Sequence, residues 1–259
     1  MRILFVGDIV SNPGIRAVKS VIPKLVSSEK IDVVIINAEN SCYGLGLSSR
    51  IADELFAIGA DVITLGNHSF SNKDFQHSIN KYTHIIRPAN ITNWPGKDFC
   101  IVEKAGLKLG VINLIGQVDI SPQGDNPFVK ADSLVDMLKR EYKVNGIFVD
   151  MHAEATSEKQ AMGFYLDGRV SAVCGTHTHV QTADDRILPM GTAFITDVGM
   201  CGVADSIIGM DVDTSLRRLV KKLPAKFEPA EGEAFVNGVI IDINENGLCS
   251  SIRRFFEYE

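Results

Sequence analysis

No apolar run in the sequence reaches the length a bilayer demands, so a helical membrane span is not expected. The opening stretch Arg2-Ile3-Leu4-Phe5-Val6 gives way at once to Gly7-Asp8 and is too short for the apolar region of a secretory signal. Cysteine is sparse and unpatterned: Cys42, Cys100, Cys174, Cys201 and Cys249 form no CxxC pair and leave an odd count. That usage points to free, mostly buried thiols in a reducing compartment, and the expected location is cytoplasmic. Positive charge is not in excess either. Against 32 Asp and Glu stand 26 Lys and Arg, a net charge of -6, which argues against a groove for extended nucleic acid built on a broad basic surface. A small anionic substrate stays open, because bound metal ions reverse a local field.

The chain has no repeat, no low-complexity segment and no obvious linker; its 259 residues suit one large domain or two small ones. What it does have is a rhythm of short apolar runs and helical patterns. Strands are expected at 2–6, 32–36 and 61–65, with helices over 13–28 and 50–58 between them. This alternation signals βαβ units and a largely parallel sheet. In the middle, 100–103 and 108–114 flank Lys104-Ala105-Gly106-Leu107, a hairpin turn, and a helix is expected from Ala131 to Tyr142. Further strands are expected at 146–150 and 169–174, with a helix over 156–164 capped by Thr156. Short strands at 187–188 and 193–195 follow, then a hairpin over 235–243 and 249–255 around Asn244-Glu245-Asn246-Gly247. The basic run Arg217, Arg218, Lys221, Lys222 and Lys226 reads as a solvated helix face.

The expected core strands end in metal-competent residues: Asp8, Glu39 with Asn40, Asn67 with His68, His152, then His177 with His179. Ligands gather outside the carboxyl ends of strands in open α/β sheets. The histidines at 177 and 179, spaced i, i+2 past a strand end, are expected to project the same way from extended backbone. Donors this numerous exceed what one tetrahedral ion takes and suit two ions sharing a carboxylate, with positions left for water and substrate. Mixed His, carboxylate and amide donors favour Fe, Mn or Zn over a thiolate-selected metal. Two such ions roughly 3.5–4 Å apart are the usual machinery for in-line displacement at phosphorus, with a bridging water attacking as hydroxide. His77 and His84 lie away from strand ends and read as surface or packing residues.

The segments Gly7-Asp8, Asn37-Ala38-Glu39-Asn40, Gly66-Asn67-His68, the one around His152, and Gly175-Thr-His177-Thr-His179 resemble the calcineurin-like metallophosphoesterases. The runs from His152 to Lys159, Gly175 to Ala183 and Ile195 to Gly199 look like their YmdB-like branch of bacterial phosphodiesterases. The resemblance covers nearly the whole chain. It implies a single metallophosphoesterase domain over 1–259: an α/β, four-layer αββα sandwich of two mixed sheets flanked by helices. It also implies one ion held by Asp8, Glu39, Asn40 and His179, and a second by Glu39, Asn67, His152 and His177, with Glu39 bridging. Fe or Mn are the expected metals, and Zn also accepts these ligands. His68 matches the family's proton donor to the leaving alkoxide, work that suits an imidazole. The implied activity is hydrolysis of small phosphate diesters, with 2′,3′-cyclic nucleotides the leading class. Homo-oligomerisation stays open.

The chain also departs from the wider superfamily. Asp8 is followed by Ile9-Val10 rather than by x-His, so Asn40 stands in for an imidazole. Where the branch often has an aromatic and then Asp after Asn67-His68, this chain has Ser69-Phe70-Ser71, which removes an acidic partner for His68 or a neighbouring ligand. Ser11 and Asn12 lie near the first ion and are candidates to touch phosphate. Asp150, on the strand face of His152, is a candidate to orient that ligand. Two rivals to the diesterase are a phosphomonoesterase or RNase and a metal-bound regulatory protein whose hydrolysis is incidental. The loops 91–99 and 119–128 are candidates to shape the pocket.

Overall fold

The computed structural model describes residues 1–104, 106–226 and 228–259. The strands are β1 (Arg2–Val6), β2 (Asp8–Ile9), β3 (Val33–Asn37), β4 (Val62–Thr64), β5 (Ile85–Ile86), β6 (Phe99–Lys104), β7 (Leu107–Ile115), β8 (Gly146–His152), β9 (Ala172–Thr176), β10 (Arg186–Ile187), β11 (Ala193–Ile195), β12 (Met200–Val203), β13 (Ala234–Ile243) and β14 (Cys249–Tyr258). The helices are α1 (Ser11–Glu29), α2 (Ser49–Ala57), α3 (Lys73–Ser78), α4 (Pro127–Arg140), α5 (Thr156–Leu166) and α6 (Val212–Leu219).

Two sheets form. The first runs β2-β12-β13-β1-β3-β4-β5 with β14 on β13, and the second runs β10-β11-β9-β8-β7-β6. Each has a parallel run, β1-β3-β4-β5 in one and β7-β8-β9-β11 in the other; β13 pairs antiparallel with β1, β12 and β14 in the first, and β6 and β10 add antiparallel edges to the second. The expected parallel core is therefore split between two mixed sheets.

Strand periodicity explains the layers. In β1, Ile3 and Phe5 face the second sheet, while Leu4 and Val6 face α1 and α2; β3 divides Val33 and Ile35 from Val34 and Ile36 in the same way. In β8, Phe148 points toward the first sheet, while Ile147, Val149 and Met151 pack with Leu134, Leu138 and Met162 of α4 and α5. Phe5 and Phe148 meet edge to face at 4.7 Å, joining the sheets at their centre. The order of layers is helices, sheet, sheet, helices, as the resemblance implies.

Several expectations move. Thr156 is the first residue of α5, and the N-cap is Ala155, whose side chain caps nothing. Helix α4 begins at Pro127, four residues before Ala131, because the Asn126 side chain accepts from the amides of Phe128 and Val129. Helix α6 stops at Leu219, so Lys221, Lys222 and Lys226 lie beyond it. Strands β6 and β7 pair as expected, though Ala105 of their turn lies outside the described residues. No helix among the described residues is long and apolar enough to cross a membrane.

Candidate metal centre

The carboxyl ends of β1, β3 and β4 in the first sheet and of β8 and β9 in the second open on one side of the molecule. Each delivers the residue that follows or closes an apolar run. Asp8 and Glu39 are fully buried, and so is His152. Two carboxylates without water are tolerable only beside cations or strong donors.

Glu39 is the hub. Its Oε1 lies 3.0 Å from His152 Nε2 and 3.3 Å from Asn40 Nδ2, and its Oε2 accepts the His68 amide at 2.9 Å. On one side, the Asn40 amide also lies 3.4 Å from Asp8 Oδ1 and 3.2 Å from His179 Nε2. On the other, Asn67 Oδ1 is 2.9 Å from His152 Nε2, and the His177 ring meets the His152 ring edge to face at 4.8 Å. Glu39, His152 and His177 each offer a ligand atom within 4.8 Å of the others, a group able to hold a metal ion. Gly66 is obligatory here, since a Cβ would overlap Glu39 Oε2 and the His152 ring.

The electrostatics follow from this crowding. Burial alone would push the Glu39 carboxyl up, but the charge and hydrogen bond of His152, with help from His68, hold it at about 2. Burial opposes charge on His152, yet Glu39 and then Asp8 raise it to about 9. Burial, reinforced by the neighbouring His152, pushes His177 down to about 3, and burial raises Asp8. Glu39 is thus an anion matched by positive charge at His152 Nε2. A cation among the same donors satisfies the same convergence, so the residues present fit a metal.

Behind these groups lies a supporting layer. The Thr176 hydroxyl donates to Asp150 Oδ1 at 2.6 Å and so accepts from His152 Nδ1 at 2.9 Å. Asn37 Nδ2 donates to the other Asp150 oxygen at 3.1 Å. Asp150 therefore does orient His152, through Thr176 rather than directly. Burial pushes Asp150 up to about 6, against the pull of His152 and the Thr176 hydrogen bond.

A second support is a buried ion pair. Lys159 Nζ lies 2.7 Å from Asp197 Oδ2, which also accepts from the Thr178 amide at 3.0 Å and the Thr178 hydroxyl at 2.6 Å. Thr178 sits between His177 and His179, so this pair fixes the loop that carries both. Neither Lys159 nor Asp197 stood out in the sequence as a site residue. A helical lysine and a loop aspartate 38 positions apart have ordinary readings until folding joins them.

The expectation that His177 and His179 project together fails. Their φ angles are 99° and 67°, so the backbone leaves the extended region after Thr176 and strand alternation no longer applies. His177 goes to His152 and to Glu154 Oε2 at 3.1 Å, while His179 goes toward Asn40 and Asp8. Glu154 also escaped notice, although it follows His152 by two residues.

His68 lines the cavity over these donors. Its Nε2 lies 3.3 Å from Asn67 Nδ2, and its Nδ1 lies 3.3 Å from the Ser71 hydroxyl. Ser71 thus supplies a neutral partner where an acid was missed. Asn12 is not brought to the site: it is exposed in the first turn of α1 and absent from the cavity wall, because the buried side of that turn is taken by Ser11, Pro13 and Gly14. The loops 91–99 and 119–128 are absent from that wall too; 40–45 and 208–210 form it instead.

A family model described as YmdB-like protein matches residues 4–255. The 2′,3′-cyclic-nucleotide 2′-phosphodiesterase of Bacillus subtilis (strain 168) is 49% identical over 246 residues, which cover 95% of this chain and 92% of that protein. Among solved structures, a hypothetical protein from Thermus thermophilus superposes with a TM-score of 0.92 at 39% identity, covering all of both chains. A protein of Mycoplasma pneumoniae, described as a novel phosphatase, gives 0.93 at 34% identity and covers 100% of this chain and 93% of its own. Matched from Leu4 to Phe255 and along nearly the full length of these relatives, the chain belongs to the YmdB-like family.

Proposed function

We propose that this chain is a metal-dependent phosphodiesterase that opens 2′,3′-cyclic nucleotides, acting as one unit over residues 1–259. The observation that carries the reading is the position of Glu39, whose Oε1 belongs to two donor groups at once. Asp8, Glu39, Asn40 and His179 would hold one ion, and Glu39, Asn67, His152 and His177 the other. The amide oxygen and nitrogen of Asn40 are interchangeable by rotation, so the oxygen can face the same donors. Bound ions would supply an activated water and polarise the phosphoryl oxygens. Fe or Mn suits this donor set, and Zn is also compatible.

The chain's own residues do the rest. Asp150 and Thr176 keep the proton of His152 on Nδ1, leaving Nε2 free to ligate a metal. Lys159 and Asp197 hold the His177–His179 loop through Thr178. His68, at the cavity wall with Ser71 behind its Nδ1, donates a proton to the ribose oxygen that leaves phosphorus. The substrate class in the name of the Bacillus subtilis relative supports this choice over a monoesterase.

The test is elemental analysis of purified protein together with turnover of 2′,3′-cyclic AMP and bis-p-nitrophenyl phosphate. Two metals per chain are expected. Glu39→Ala should lose metal and activity together, whereas His68→Ala should keep metal and lose turnover by about 10²–10⁴-fold. Turnover indifferent to both substitutions would sink the reading, and full metal with no turnover in the wild type would favour a regulatory role.

A further inference from the structure

The walls of the cavity over the donors are unlike its floor. The cavity measures about 580 Å³. Its polar lining, the floor, comes from Asn40, His68, Glu154, His177, Thr178 and His179. Its apolar lining, the walls, comes from two segments, Tyr43 with Leu45 and Ile208 with Met210. Tyr43 is 78% exposed and Ile208 51%, although both are large apolar side chains that burial would stabilise.

Both residues also sit at left-handed backbone, with φ of 54° for Tyr43 and 49° for Ile208. For a β-branched residue that conformation is strained. It is held by neighbours: His179 Nδ1 is 3.0 Å from the Ile208 carbonyl oxygen, and the Ser206 hydroxyl accepts from the Gly209 amide at 2.9 Å. The Ile208 wall is therefore tied to a donor of the floor. The two walls also approach each other, since a Cβ on Gly44 would lie 3.0 Å from Met210 Cε.

The wall chemistry limits what it can grip. Among the described residues no arginine or lysine lines this cavity, so nothing there forks onto a phosphate. Its other hydrogen-bonding side chains are already engaged, Asn40 with Asp8, Glu39 and His179, Glu154 with His177, and Thr178 with Asp197. A phosphate then has to sit on the floor, and the walls offer a flat ring and aliphatic groups to whatever the phosphate carries. Such a surface suits the faces of a nucleobase, and it lacks the paired donors and acceptors that read a base edge.

We infer that Tyr43 and Ile208 form a clamp that holds the nucleobase of the substrate by stacking and apolar contact, without reading its identity. This rests on the cyclic-nucleotide reading above. The clamp makes binding depend on the size of the base, purines above pyrimidines, and not on its hydrogen-bonding pattern.

The test compares kcat and KM for 2′,3′-cyclic AMP, GMP, CMP and UMP with those for glycerol 1,2-cyclic phosphate, a cyclic diester without a base. Wild-type protein is expected to treat AMP and GMP alike and to prefer both to CMP and UMP. In Tyr43→Ala, the ratio of kcat/KM for cyclic AMP to that for the glycerol diester should fall about tenfold, carried by KM. Tyr43→Phe should restore the ratio, because the ring and not the hydroxyl makes the contact. The clamp is overturned if Tyr43→Ala leaves that ratio where it was, or if one base alone is accepted. It is also overturned, with the diesterase reading intact, if the wild type opens the glycerol diester as well as it opens any nucleotide. A wild type inert on all five substrates removes the diesterase reading itself, and the clamp with it.

Discussion

Thr176 stands between an imidazole and a carboxylate, and its single proton decides the state of both. Because that proton goes to Asp150, His152 must donate from Nδ1, and Nε2 is the nitrogen that faces Glu39 and would give up its proton to a metal. Thr176→Val keeps the shape of the side chain and removes the link. Affinity for Mn²⁺ in metal-stripped protein should fall about 10–100-fold by isothermal titration. An unchanged affinity would mean that Asp150 has no hold on the ligand. The donors themselves were legible in the sequence, because apolar runs such as Val33–Ile36 and Gly146–Val149 stop abruptly at polar residues. Their supports were only half legible. Asp150 could be placed by strand alternation, but the intervening hydroxyl comes from β9, across a register no sequence pattern states. The Lys159–Asp197 pair and the divergence of His177 from His179 were hidden for a related reason: each depends on where the backbone turns after a strand.

Among the elements, the long helices and strands could be read in advance because periodicity accumulates over many residues. Helix α1 and the hairpin β13-β14 are cases in point. Strand β12, with Met200-Cys201-Gly202-Val203, shows no alternation, and two-residue β2 has too few positions to show any. Both exist because β13 and each other supply hydrogen bonds. Helix starts depend on one side chain, and the two nearest the second sheet differ: Asn126 caps α4, whereas Ala155 leaves the first amides of α5 without a side-chain acceptor. Ala155→Ser should therefore stabilise the protein by about 1 kcal/mol, and Asn126→Ala should destabilise it by a similar amount. In calorimetry these correspond to opposite Tm shifts of roughly 2–4 °C. A fall in Tm for Ala155→Ser would show that the amides of α5 are already satisfied.

Across the whole molecule, the donors divide between the sheets: Asp8, Glu39, Asn40 and Asn67 follow strands of the first, and His152, His177 and His179 come from the second. A metal bound among them ties one sheet to the other at an end where apolar packing has given way to buried charge. Binding to the folded state alone at a hundredfold excess over Kd contributes about 2.7 kcal/mol. Stripping the metal with a chelator should then lower Tm by roughly 5–10 °C. Protein that melts at the same temperature with and without its metals would show that the two sheets need no such tie. The four-layer architecture was foreseen through motif resemblance, whereas the alternation of elements alone pointed to one largely parallel sheet. Strand count and polarity do not say when a sheet ends and a second begins. That boundary is set by side chains such as Phe5 and Phe148, which meet across the middle.

The placement of β13 has a consequence for how the protein comes into being. Ile3 to Val6 pair on one side with Val33 to Ile36, and Arg2 to Val6 pair on the other with Asp242 to Gly238. A ribosome emits every proposed metal donor, Asp8 through His179, before it emits the strand that flanks β1. Until then β1 is an open edge, inviting the wrong neighbour. The nascent protein thus carries the whole proposed donor set on an unfinished scaffold, and its maturation waits on contacts more than 230 residues apart in sequence.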